Sequence, residues 1–293
     1  MDTTFEIFTD TSCDLPAERL EALEVTCMPI GLVVDGEDYL AGHERLPSVD
    51  EFYELQVLHK GATTTSGLTQ YCIMEAFEKT LKAGKDILYL GIVPDLSEAT
   101  WNSMYAAVAE LREKYPERRI ETPNTHAIAP GLGLLIDKMV EELNLGADLD
   151  KMLGLLDYWS RRAAHWFTVD NFDQLKRSGR VSNIQALVAG ILSIKPVMRL
   201  PYEGKLESVA KVRGNKAILH EFVNIVNDSM GDPEGEIRVS YGGACQRDRA
   251  EALVELIRQI LPEARMSLHR IGPIIGAHTG RTVLAIFFFG RDR

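Results

Sequence analysis

The chain is poor in cysteine. Four occur in 293 residues, at positions 13, 27, 72 and 245, and no two form a Cys-x-x-Cys pair. No histidine stands at metal-ligand spacing from any of them, so neither a zinc site nor a redox motif is expected. Cys13, in a polar loop, reads either as a reactive thiol or as a small turn residue. No run of eighteen apolar residues exists, which excludes an integral membrane span built on one helix. The most apolar window, 186–198, is interrupted by Gly190, Lys195 and Pro196. The start of the chain lacks the basic segment and apolar core of a signal sequence, so a cytoplasmic protein is expected. The formal net charge is -11 and no block of lysine or arginine offsets it. Nucleic-acid binding needs phosphate-neutralising charge, so it is not expected. Neither a Gly-x-Ser-x-Gly elbow nor a P-loop occurs.

What is present is an ordinary globular composition, 45% hydrophobic and 26% charged, with a mean hydropathy of -0.08. The length allows two modest domains. The first half alternates strand and helix patterns, with strands at 5–9, 86–92 and 119–122 and an extended segment at 25–34. Helices are predicted from Pro16, from Ser48 to about His59, from Thr69 to Lys82, from Ser97 to Tyr115, over 130–143 and over 149–162. Such alternation predicts an α/β domain over 1–160 with a largely parallel sheet. Ligands gather beyond the carboxyl ends of such strands, so 10–12, 93–95 and 123–125 should share one edge. The second half reads as a mixed α/β domain over 161–293. A hairpin is predicted from 195–200 and 206–212, strands at 165–169, 236–241, 265–270 and 282–289, and an apolar helix over 183–192.

Four stretches carry polar chemistry. In Ile271-Gly-Pro-Ile-Ile-Gly-Ala-His278-Thr-Gly280 one histidine sits in what reads as a glycine-rich, otherwise apolar turn. It is either a buried histidine bonded to a carbonyl or a donor for an acid group lying against apolar walls. Thr63-Thr64-Thr65-Ser66-Gly67 places four hydroxyls in a predicted loop between helices, where capping needs only one. Asp10-Thr11-Ser12-Cys13-Asp14 reads as a loop held by its own Asx-type bonds, or as acids that hold a metal or orient a base. The basic stretches Lys176–Ser182 and Arg213–Ala217 read as charged turns, or as sites where Arg180 or Arg213 meets an anion.

In order along the chain, several of these pieces resemble the DegV family. They are Asp10-Thr-Ser-x-Asp-Leu-Pro16, Thr65-Ser66, Leu175-Lys-x-x-Gly-Arg180-Val-Ser182, Ile194-Lys-Pro-Val197, Arg213-Gly-x-Lys-Ala217 and Gly276-Ala-His278-Thr-Gly280. The resemblance implies a two-domain α/β lipid-binding carrier without enzymatic activity. It needs no cofactor, binds a long-chain fatty acid and presents it to a fatty-acid kinase. It implies further that Thr65, Ser66, His278, Thr279 and Arg213 hold the carboxylate, and that Arg180 faces the kinase. The sequence departs from the family pattern at several places, among them Asn124-Thr125 where Asp-Ser is usual and Arg281 where proline is usual. Gly67-Leu-Thr69 stands where Gln-Pro-Ser is usual, and Val93-Pro94-Asp95 stands where a serine pair is usual. The competing reading is a serine hydrolase or acyltransferase using Ser66 and His278 with Asp10.

Overall fold

The computed structural model describes residues 4–39, 46–181 and 194–291. The apolar helix expected at 183–192 lies outside them, as does Ser182.

The short apolar stretches of the first half pair side by side. Strands β1 (Phe5–Asp10), β2 (Thr26–Met28), β6 (Asp86–Tyr89) and β7 (Ile120–Glu121) form a sheet of order β2-β1-β6-β7. All three pairings are parallel. Parallel strands require crossovers, and the helices supply them. Helix α3 (Gln70–Lys82) starts where the Thr69 hydroxyl accepts from the Cys72 amide, and buries Ile73, Phe77 and Leu81 at helical spacing. Helix α4 (Glu98–Lys114) does the same through Trp101, Met104, Val108 and Leu111.

The stretch 25–34, expected as one extended segment, divides between two sheets. Its first part is β2. Its second part, β3 (Gly31–Val34), joins β4 (Glu37–Asp38) and β5 (Thr63–Gly67) in a separate antiparallel sheet of order β4-β3-β5. Between them runs α2 (Val49–Leu58), opened by a reciprocal Ser48–Glu51 capping box.

The second half builds a mixed six-stranded sheet. Its strands are β8 (Ala163–Thr168), β9 (Ile194–Arg199), β10 (Glu207–Arg213), β11 (Glu236–Tyr241), β12 (Arg265–Arg270) and β13 (Leu284–Phe289). The order is β10-β9-β8-β13-β11-β12. Only β11 and β12 run parallel. The expected hairpin is present as the antiparallel β9–β10 pair, with a bulge near Ser208.

The halves share apolar contacts. One buried cluster joins Phe8, Phe52, Leu68 and Ile92 to Phe167, Ile271, Ile275 and Phe287. A buried ion pair adds a polar tie: Arg238 on β11, 3% exposed, bonds Asp137 on helix α5 (Ala129–Asn144).

Candidate functional site

The carboxyl ends of the parallel strands are organised around Asp10. Its side chain accepts from the Ser12 amide at 2.9 Å and the Ile92 amide at 3.0 Å, and from the Tyr89 hydroxyl at 2.5 Å. Thr125 donates to the Gly91 carbonyl at 2.7 Å. The three loops therefore do meet at one edge. Asp10 is committed to fixing the edge and makes no bond to His278. Cys13 is buried there, 1% exposed.

Two polar segments differ from their expected form. The threonine run is not a loop but strand β5, paired antiparallel with β3. Alternate residues of a strand face opposite sides. Thr63 and Thr65 face inward, while Thr64 and Ser66 are exposed. Ser66 falls at the register shift between Gly31 and Leu32. The histidine segment is likewise not a turn. It forms the seven-residue helix Pro273–Thr279, with proline in its first turn and Gly280 at φ 81 closing it.

Gly276 lets this helix approach α2. A side chain there would come within 2.7 Å of Phe52 Cε1 and of the Tyr53 hydroxyl. The approach brings His278 against Thr65, with Nε2 and Oγ1 2.9 Å apart. Burial, and secondarily the positive charge of Arg180, push His278 down to about 4. The imidazole is therefore neutral at pH 7.

Thr65 and His278 line a cavity of about 50 Å³. Its polar lining is completed by Ser97, Ser178, Arg180 and Thr279. Its aliphatic wall includes Ile30, Ile92, Ile128, Leu206, Ile274 and Ile275. The Thr279 hydroxyl donates to the Ile275 carbonyl at 3.0 Å, within its own helix. Ser97 donates to the Thr100 hydroxyl at 2.8 Å. Arg180 follows the short helix Asp173–Ser178 and Gly179, is exposed, and bonds the Ser178 carbonyl. No carboxylate pairs with it among the described residues.

Of the residues singled out from the sequence, Thr65, His278 and Thr279 meet at this cavity, and Arg180 joins them in its wall. Ser66 does not, because it occupies the outward face of β5. Arg213 does not line the cavity either. It ends β10 exposed, opposite Ile194. A line of Ser66, His278 and Asp10 is not formed. Asp95, where the resemblance implies a serine, is exposed and lies against Gly204. Sequence reasoning passed over Ser97 and Ser178. The Leu96-Ser97 pair after the 93–95 loop was the available signal for the first, and the short helix before Gly179 for the second.

Known proteins resemble this chain along nearly its whole length. The family model described as "Uncharacterised protein, DegV family" matches residues 4–291. A DegV domain-containing protein of Clostridium perfringens is 33% identical over 287 residues, covering 98% of this chain and 97% of its own. Another, from Lactococcus lactis, is 30% identical and covers 98% of each. Among solved structures, a DegV family protein from Thermus thermophilus described for its fatty-acid binding superposes with a TM-score of 0.86 at 25% identity, covering 98% of this chain and 100% of its own. One from Eubacterium eligens loaded with heptadecanoic acid superposes at 0.82 with 20% identity, over 97% and 99%. By sequence along nearly its whole length and by fold, this chain belongs to the DegV family.

Proposed function

We propose that this protein is a non-enzymatic carrier, cytoplasmic in location, that buries the tail of a long-chain fatty acid and grips its carboxylate at Thr65 and His278. The observation that carries the reading is the 2.9 Å contact of these two side chains in the wall of an otherwise aliphatic cavity. The fatty acids described for the Thermus and Eubacterium structures support the ligand class.

A carboxylate leaving water needs donors or a positive charge. With its proton on Nε2, the neutral His278 ring would donate to Thr65 Oγ1 and free the threonine hydrogen for a carboxylate oxygen. Ser97 can turn its hydroxyl from Thr100 to the second oxygen. Arg180 supplies the positive charge that His278, being neutral, does not. It thus belongs to the anion's surroundings, and its exposure leaves it open to a partner as well. Thr279 shapes the wall, since its hydrogen is spent on Ile275. Ser66 and Arg213 have no part in the grip.

The tail supplies most of the affinity. Burial contributes about 0.8 kcal/mol per methylene. Fourteen methylenes give about 11 kcal/mol before the costs of ordering are subtracted. The cavity of about 50 Å³ matches a head group, so a long tail requires the aliphatic wall to part. An acid head held next to an exposed arginine suits transfer to a fatty-acid kinase, which would phosphorylate the carboxylate.

Mass spectrometry of lipid extracted from the denatured protein tests the carrier reading. A long-chain fatty acid at near one per chain is expected. No extracted acyl chain, together with no binding of added palmitate, would overturn it.

A further inference from the structure

The bonds that hold His278 in place reach away from the ligand, and they single out a glutamine. The helix 273–279 has only seven residues, so its last carbonyls lack partners within the helix. The Ala277 carbonyl, directly before His278, is one of these, while the Gly276 carbonyl keeps the Gly280 amide at 2.9 Å as a backbone partner. Gln56 of α2 donates its amide to the Gly276 carbonyl at 3.0 Å and to Thr63 Oγ1 at 3.2 Å. Gln174 donates to the Ala277 carbonyl, to the Thr63 carbonyl at 3.1 Å and to Thr63 Oγ1 at 2.8 Å. Thr63 Oγ1, already accepting from both amides, points its own hydrogen at the Ala277 carbonyl, 3.3 Å away.

All three side chains are buried, at 5% for Gln56, 5% for Gln174 and 9% for Thr63. The orientation of the Gln174 amide follows from its neighbour. Arg177 Nη2 lies 2.6 Å from Gln174 Oε1. Arginine only donates, so the amide oxygen must face it and the nitrogen must face the carbonyls.

We propose that Gln174 is a positioning residue for the carboxylate grip, acting through the helix that carries His278. This rests on the fatty-acid reading above and adds a residue to it. Thr63 and Thr65 share one face of β5. The first pins the backbone beneath His278 and the second meets the imidazole. Gln174 ties that strand to that helix, so it sets the separation of Thr65 from His278. Removing its donor leaves the Ala277 carbonyl short of a partner and lets the imidazole shift relative to the threonine. Head-group recognition suffers, while the aliphatic wall that holds the tail is untouched.

The test compares palmitic acid with its methyl ester, which has the same tail and no charge. Wild type should prefer the acid. In Gln174→Leu the acid-to-ester preference should fall about tenfold, mainly through weaker acid binding. Arg177→Met, at an exposed site, keeps the glutamine but releases its amide to turn over, and should lower the preference about threefold. A preference unchanged within twofold in both variants, with wild type discriminating, would overturn the proposal and leave the carrier reading standing. A wild type that binds neither lipid would instead overturn the carrier reading. A second readout needs no ligand. In nitrogen NMR spectra, His278 should show one fixed tautomer in wild type and an averaged pattern in Gln174→Leu, or in Arg177→Met should the leucine variant fail to fold. The same fixed pattern in the folded variants would overturn the proposal.

Discussion

On one side of the cavity, His278 rides on a helix whose end carbonyls are bonded by buried glutamine and threonine side chains. On the other side, Arg180 is exposed, and among the described residues its guanidinium bonds only the Ser178 carbonyl of its own turn. The first wall offers geometry without charge, because burial keeps the imidazole neutral. The second offers charge without fixed geometry. A buried ion pair would need both partners desolvated at once, which is costly. Dividing the work avoids this. Hydroxyl and imidazole fix the position of an acid group, and an arginine still in contact with water neutralises it.

The comparison breaks most severely at Gly276. Gly276→Ala puts a methyl group within 2.7 Å of both Phe52 and the Tyr53 hydroxyl, in a wall that cannot easily give. It should cost about 1–3 kcal/mol, typical of overpacking, read as a lower urea midpoint with unchanged slope. Thr65→Val comes next. It keeps the shape and removes the hydroxyl, and should weaken fatty-acid binding about tenfold, equivalent to one lost hydrogen bond of about 1.4 kcal/mol. Titration against palmitate measures it. Arg180→Gln should weaken binding only a few-fold, with the difference shrinking as salt rises, because water and ions screen an exposed charge. The smallest effect expected is that of pH. A protonated His278 serving as counter-ion would lose affinity for the acid as pH rose through its titration. Held down to about 4, the ring is neutral throughout pH 6–8. Affinity should therefore stay flat across that range.

The contrast also separates what was legible in the sequence from what was not. The parallel sheet and the β9–β10 hairpin follow from hydrophobic period and turn residues, which local chemistry dictates. Strand β5 was hidden because Thr63–Ser66 are all hydroxylic. Their alternation of burial leaves no alternation of hydrophobicity to read, and so Ser66 looked equivalent to Thr65. The His278 helix was hidden by glycines at 272, 276 and 280. They read as a turn, whereas one packs against α2 and the other two bound the helix. His278 and Thr65 were found through the resemblance and through their polarity in apolar surroundings. Gln56 and Gln174 carried no such mark. They matter because the fold brings residues 118 positions apart in the chain onto one threonine, and no local pattern encodes that meeting. Arg180 was expected to face a partner, yet its charge is felt at His278. The two roles share one exposed position at the cavity wall.

A crystal structure of the protein with palmitic acid tests the central claim most directly. The account predicts one carboxylate oxygen within hydrogen-bonding distance of Thr65 Oγ1, beside His278, with the tail running between the aliphatic side chains that now close the cavity. A palmitate whose carboxylate lies elsewhere, with Thr65 and His278 still bonded only to each other, would contradict it.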